Sequence, residues 1–286
     1  MVDSLSIVVP AKNEAGSLVQ LLPELTTVFP DAEIIVVNDG STDQTSAVCS
    51  EQGVKEVRHV NSIGNGGAVK AGARAAKGEV LAFLDGDGQH SAEDLRRLLN
   101  EFEMNGFDMV VGARTSSGQA SVGRLLANTI YNKLAGWMVG RKVDDLTSGM
   151  RVVSAEKFRE FLYLLPNGFS YPTTSTMAFF RAGYQVGYVP ITAAKREGRS
   201  HINVWKDGVR FLLIIFKVGT LYSPIKIFFP LALLLFFTGV GYYGYTYAVF
   251  HRFTNMGMLL FTTSLIVFLM GLISEQITTL MYNRKQ

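Results

Sequence analysis

Cysteine is almost missing from this chain: Cys49 stands alone in 286 residues. A single thiol excludes an intramolecular disulfide framework. Cys49 falls in a stretch of helical spacing, where a packed thiol is expected over a reactive one. No secretion signal is expected either, because Met1 to Pro10 is too short and carries Asp3 where a basic flank belongs. Charge of one sign is scarce. The 27 Lys and Arg face 24 Asp and Glu, and a net +3 gives no nucleic-acid signature. No Gly-x-x-x-x-Gly-Lys-Ser/Thr string occurs, which excludes a P-loop. Gly64-Asn65-Gly66 opens like a dinucleotide fingerprint, but Val69 stands where its third glycine belongs. The chain is rich in apolar residues, 48% of the total, and the excess is concentrated after Ser223.

Upstream of Ser223, short apolar runs alternate with helical spacing. Strands are expected over residues 5–10, 33–37, 56–60, 80–84 and 107–111, and later around Val152–Val153 and over 185–190. Helices are expected over 16–27, after Ser41, over 68–76, over 92–105 and over 124–139. Ser41 with Gln44 has capping-box spacing, and Ser91 has Glu93 and Asp94 in the turn that follows it. Alternating strands and helices imply an α/β domain with a mainly parallel sheet. In such sheets ligands bind beyond the carboxyl ends of the strands. Asn13, Asp39, Asp87 and Arg114 all fall just past a strand end.

The stretch Leu81 to His90, LAFLDGDGQH, is the sharpest of these signals. A buried-type strand runs into Asp85 and Asp87, with Gly86 and Gly88 leaving room for a ligand. Two carboxylates and the Gln89 amide form a hard oxygen set that suits Mg²⁺ or Mn²⁺. Asp-x-Asp alone fits a polar turn as well; the other polar residues at the same sheet edge favour an active site. Residues 195–201, KREGRSH, read either as an anion-binding loop or as a solvated basic turn near a membrane.

Residues 204–222 have amphipathic helical spacing with Lys206, Arg210 and Lys217 interspersed. That fits a helix in the membrane interface, with a core helix as the alternative. Two apolar stretches follow, about 227–250 and 256–275, each long enough to span a bilayer. They form a hairpin, so both chain ends share one side. Lys217, Lys226, Arg284 and Lys285 outweigh Arg252, which places the ends in the cytoplasm. Glu275, near a helix end, is expected at the interface.

Several motifs together resemble one family. They are Val8-Val9-Pro10 with Asn13-Glu14, Val37-Asn38-Asp39-Gly40-Ser41-Thr42-Asp43, Asp85-Gly86-Asp87-Gly88-Gln89-His90, and Gly112-Ala113-Arg114. Asp145 with Ser148-Gly149-Met150-Arg151, and Arg196-x-Gly198-x-Ser200, complete the set. The chain resembles the family 2 glycosyltransferases of the GT-A fold, within them the polyprenyl-phosphate glycosyltransferases of the dolichol-phosphate mannose synthase type. It departs at His201, where lysine is common, and at Met150, where an aromatic is common.

The resemblance implies a GT-A domain over residues 1–202, a juxtamembrane amphipathic helix over 203–224 and a transmembrane hairpin over 225–286. It implies transfer of a hexose from a UDP- or GDP-sugar to a polyprenyl phosphate, with inversion, at the cytoplasmic membrane face. By the same resemblance, Pro10, Ala11, Asn13, Glu14, Asp39, Asp85 and Gly86 hold the nucleotide-sugar, and Asp85, Asp87 and Gln89 hold Mg²⁺ or Mn²⁺. Arg114, Arg124, Ser148, Arg151, Arg196, Arg199 and Ser200 gather phosphates, with Asp87, Arg114, Arg124, Asp145 and Arg196 nearest the chemistry. Asp145 is the residue to consider if a base is needed. Expected partners are the donor, the lipid acceptor and the membrane, with a homo-oligomer through the hairpin as a further possibility and no nucleic acid. A processive polysaccharide synthase is an alternative, but its Gln-x-x-Arg-Trp string is absent. A nucleotidyltransferase and a membrane-tethered nucleotide sensor are the others.

Overall fold

The computed structural model describes residues 4–114, 122–168, 170–192, 216, 219–252 and 254–283. The side chains of 122–128, 282 and 283 lie outside that description. The chain divides into two compact units, one of Met1–Trp137 with Arg141–His201, the other of Met138–Gly140 with Ile202–Gln286.

The first unit is built on a sheet whose strands are β1 (Leu5–Ala11), β2 (Glu33–Asn38), β3 (Lys55–Arg58), β4 (Val80–Phe83), β5 (Met109–Arg114), β6 (Arg151–Ser154) and β7 (Val186–Ile191). Their order is β3-β2-β1-β4-β6-β5-β7. The helices are α1 (Ala15–Val28), α2 (Thr45–Glu51), α3 (Asn65–Ala75), α4 (Ala92–Asn105), α5 (Val122–Val139), α6 (Ala155–Glu160) and α7 (Tyr171–Arg181). Ile7, Val8 and Val9 of β1 and Ile35, Val36 and Val37 of β2 are fully buried. Unbroken aliphatic runs of this kind belong to strands covered on both faces. Each such side chain contributes about 1.5–3 kcal/mol by leaving water. α3 approaches this layer closely: a Cβ at Gly72 would stand 2.2 Å from Val8 Cγ1. The run of small residues in α3 is therefore a packing requirement.

All strand pairs are parallel except those of β6, which runs antiparallel to both β4 and β5. Arg151 opens β6 and pairs with Phe83 near the end of β4 and with Val111 of β5. The reversal brings the segment that precedes β6, residues 144–150, to the edge where β4 and β5 end. No reading of parallel crossovers alone would bring it there.

Most expected elements form within two residues of their expected ends. α3 starts at Asn65, so Gly64 to Gly67 is a helix entry more than a free turn. The capping box at Ser41 does not form. α2 begins at Thr45, whose N–H is taken by Asp43 Oδ1 at 3.0 Å, while Ser41 Oγ accepts from Asn13 N at 2.9 Å. Ser91 does cap α4, accepting from Asp94 N at 3.1 Å.

The second unit contains α8 (Pro224–Phe250) and α9 (Asn255–Asn283), two helices long and apolar enough to cross a membrane. They pack on each other, and Ser264 Oγ donates to Ala232 O at 2.8 Å. α9 continues past Glu275 and does not end there. Glu275 Oε2 accepts from Ile225 N at 3.4 Å in the first turn of α8. A carboxylate at a helix N-terminus satisfies an orphan donor and the helix dipole. The expected interfacial helix falls almost wholly outside the described residues.

Candidate active site

The carboxyl edge of the sheet is assembled from loops tied to one another. Asn13 turns the chain after β1 in the left-handed region, with φ of 57°. Its Oδ1 accepts from Thr42 N at 2.8 Å. Asp43 Oδ2 takes the N–H of Ala15 at 3.1 Å, so the β2 loop caps the start of α1. Gly86 N donates to Pro10 O at 3.2 Å, which joins the β1 and β4 loops. Pro10, Ala11, Asn13 and Gly86 thus meet at one edge; Glu14 leads directly into α1.

Asp39, at the end of β2, is buried and all its acceptor directions are engaged. Its Oδ1 meets His59 Nδ1 at 2.7 Å and Ile63 N at 2.8 Å. Its Oδ2 accepts from Ser62 Oγ at 2.7 Å and Gly64 N at 2.8 Å. Burial alone would raise this carboxyl; the bonds from His59, Ile63, Ser62 and Gly64 outweigh it and bring it down to about 2. The loop of residues 59–64, which leads into α3, is wound around this one carboxylate. His59 and Ser62 were not legible as site residues, since what marks them is their bonds to Asp39.

The end of β4 is the opposite case. Among the described residues Asp85 receives one long bond, from Asn65 Nδ2 at 3.4 Å. Its carboxyl is raised above the ordinary value, first by burial and then by the charge of Asp87. Asp87 Oδ1 accepts from Gln89 N at 3.2 Å, which closes the turn. His90 is buried beside both acids, and burial lowers its pKa against their opposing charge. Two buried polar atoms here, Asn65 Oδ1 and His90 Nδ1, have no hydrogen-bond partner among the described residues. Two under-bonded carboxylates with unpaired polar atoms around them fit a hydrated divalent cation. No cluster of three His, Cys, Asp or Glu ligands forms among the described residues. Mg²⁺-type sites need none, as they take one or two carboxylates and complete their shell with phosphate and water.

Arg114 and Asp145 meet as a forked pair, Nε to Oδ2 at 2.8 Å and Nη2 to Oδ1 at 3.1 Å. Arg114 N donates to Oδ2 at 3.2 Å, and Thr147 N and Ser148 N donate to Oδ1 at 3.0 and 3.1 Å. Burial would raise Asp145, but Arg114 and the backbone donors hold it below the usual carboxylate range. So engaged, its charged form is favoured by Arg114 and the backbone donors. Asp145 and the charge of Asp85 keep Arg114 protonated against the effect of burial.

Two further expected phosphate ligands are enclosed. Arg151 is fully buried, and its guanidinium bonds to Pro172 O, Ser175 Oγ, Thr176 Oγ1 and Ser148 O. Ser148 is 1% exposed. Neither is exposed to solvent in this arrangement. The Arg124 side chain and all of Arg196, Arg199 and Ser200 lie outside the described residues.

The sequence matches the model of glycosyl transferase family 2 over residues 6–162, and that of the GtrB C-terminal hairpin over residues 223–280. Among curated relatives, the low-salt glycan biosynthesis hexosyltransferase Agl6 of Haloferax volcanii is 28% identical over 83% of this chain. The chain spans 60% of that relative's length. The undecaprenyl-phosphate mannosyltransferase of Micrococcus luteus is 29% identical over 66% of this chain and 83% of its own. Among solved structures, glucosyl-3-phosphoglycerate synthase from Mycobacterium tuberculosis, crystallised with Mn²⁺ and UDP-glucose, superposes with a TM-score of 0.57. It is 21% identical and covers 76% of this chain and 78% of its own, a likeness of fold. The family match covers the whole sheet edge just described, from β1 to β6, and on that ground the chain belongs to glycosyl transferase family 2.

Proposed function

We propose that the chain transfers a hexose from a UDP- or GDP-sugar to a polyprenyl phosphate, with a divalent cation and with inversion. The observation that carries this reading is one chain holding both the under-bonded acid pair of β4 and a two-helix apolar hairpin. A soluble acceptor would not call for the hairpin. The undecaprenyl-phosphate mannosyltransferase among the relatives supports the same acceptor class.

Pro10, Ala11, Asn13, Glu14 and Gly86 would line the nucleoside, on a floor that Asp39 stabilises through residues 59–64. Asp85, Asp87 and Gln89 would hold Mg²⁺ or Mn²⁺, which when bound neutralises charge on the departing diphosphate. Arg114 stays cationic beside Asp85 and, through Asp145, fixes the loop before β6. Arg124, Arg196, Arg199 and Ser200 would receive the acceptor. A hydroxyl acceptor must lose a proton as it attacks, whereas a lipid phosphate is already ionised. The engagement of Asp145 with Arg114 favours the acceptor that needs no base.

The hairpin would anchor the chain with both ends in the cytoplasm, from the excess of Lys and Arg flanking that side. External protease on intact cells should spare a tag at either end, and cleavage at one end would overturn this orientation. The reaction itself is tested by offering vesicle-embedded protein a panel of UDP- and GDP-hexoses with undecaprenyl or dolichyl phosphate. A lipid product heavier by one hexosyl residue is expected. Label transferred with the nucleotide, or donor bound without turnover, would refute it.

A further inference from the structure

Asp85 owes its orientation to a backbone. A Cβ added at Gly149 would stand 2.4 Å from Asp85 Oδ2, 3.0 Å from Cγ and 3.2 Å from Oδ1. The carboxylate therefore rests against the Gly149 backbone, where a side chain would crowd it, and Asn65 Nδ2 at 3.4 Å is its hydrogen-bond donor among the described residues. What holds that peptide lies behind it. Arg151 Nη2 donates to Ser148 O, and Tyr171 Oη donates to Gly149 O at 3.3 Å. Both residues are themselves fixed. Arg151 Nη1 donates to Ser175 Oγ at 2.7 Å, Pro172 O at 3.0 Å and Thr176 Oγ1 at 3.2 Å. Its guanidinium lies 5.8 Å from the centre of the Tyr171 ring.

A fully buried guanidinium is expensive to keep, and removing its charge in favour of an apolar side chain is often neutral for stability. No carboxylate forms an ion pair with Arg151 among the described residues. Burial lowers its pKa, and the negative charges of Asp145 and Asp85 favour its protonated form against that effect. Ser175 and Thr176 of α7, both buried, supply two of its acceptors, and the carbonyls of Pro172 and Ser148 supply the others.

We propose that Arg151 and Tyr171 are positioning residues: they press the Gly149 peptide against Asp85 and thereby set the direction of that carboxylate in the metal-binding pair. This rests on Asp85 and Asp87 being metal ligands, and groups that orient ligands typically change metal affinity 10–100-fold when lost.

The test is Mn²⁺ affinity of the full chain in detergent, read from the free Mn²⁺ signal in electron paramagnetic resonance, with thermal unfolding measured alongside. Gly149→Ala should weaken Mn²⁺ binding about 100-fold, the upper end of that range, since the new Cβ must displace the carboxylate. Tyr171→Phe removes one hydroxyl and should weaken it about 10-fold with little change in melting temperature. Arg151→Lys, which loses the forked reach, should weaken it at least as much. Wild-type Mn²⁺ affinity in Tyr171→Phe, or in folded Arg151→Lys, overturns the positioning role. Wild-type affinity in Asp87→Ala would instead remove the metal assignment itself, so the two failures are distinguishable.

Discussion

Asp39 and Asp85 follow β2 and β4, the strands on either side of β1, yet their surroundings are opposed. At the end of β2, Asp39 accepts bonds from His59, Ser62, Ile63 and Gly64, and its carboxyl falls to about 2. At the end of β4, Asp85 has one long bond and an acid neighbour, and its carboxyl is raised. The first is an internal organiser whose charge the fold already satisfies. The second is left under-bonded among the described residues, and its charge is the one a bound cation would offset. A carboxylate past a strand end is thus not one kind of signal, and hydrogen-bond accounting separates the two kinds.

The largest expected contrast comes from deleting one acid at each place. Asp87→Ala should abolish Mn²⁺ binding and lower turnover by roughly 10³-fold or more, the scale of lost electrostatic stabilisation. Its melting temperature should stay close to wild type. Asp39→Asn should do the reverse, keeping Mn²⁺ affinity while costing about 1–3 kcal/mol as buried N–H donors lose a charged acceptor. Stability loss in Asp87→Ala with normal metal binding, or the mirror result in Asp39→Asn, would break the comparison.

A smaller effect concerns acid. The Asp39 carboxyl titrates lower in the fold than its ordinary 3.8, so its charged form is the one the fold favours. Its contribution is complete above about pH 4 and is lost as pH falls toward about 2. Thermal unfolding over that range should show wild type losing its advantage over Asp39→Asn. A constant difference would mean that the carboxylate is not what the loop depends on.

The smallest expected change is at Asp145. Loss of a true base costs roughly 10²–10⁴-fold. Asp145→Asn should cost less, and Arg114→Lys a comparable amount, because both loosen one loop. Turnover with saturating polyprenyl phosphate is the measurement, and a loss in the range of a base would restore Asp145 to that role.

Much of this architecture was legible in the residues. Aliphatic runs gave the parallel strands, and Asp85-Gly86-Asp87 past β4 gave the acid pair. The rest depended on what periodicity cannot carry. α7 went unnoticed because Thr173-Thr174-Ser175-Thr176 has neither an apolar stripe nor strong helix propensity. Its hydroxyls instead bond back to carbonyls in the preceding turn, Thr176 Oγ1 to Pro172 O at 2.9 Å for example. The burial of Arg151 was not legible either, because a cation in a motif reads as a phosphate ligand whether it is exposed or enclosed. Gly149 gave no sign of its contact, which exists only because β6 runs against its neighbours.

The most direct test is the binding of UDP and GDP to the wild-type chain and to Asp87→Ala, by calorimetry, with Mn²⁺ and with the ion chelated. The account predicts that Mn²⁺ tightens binding of one diphosphate by at least about tenfold in wild type and leaves Asp87→Ala unchanged. Equal binding with and without Mn²⁺ in the wild-type chain would contradict it.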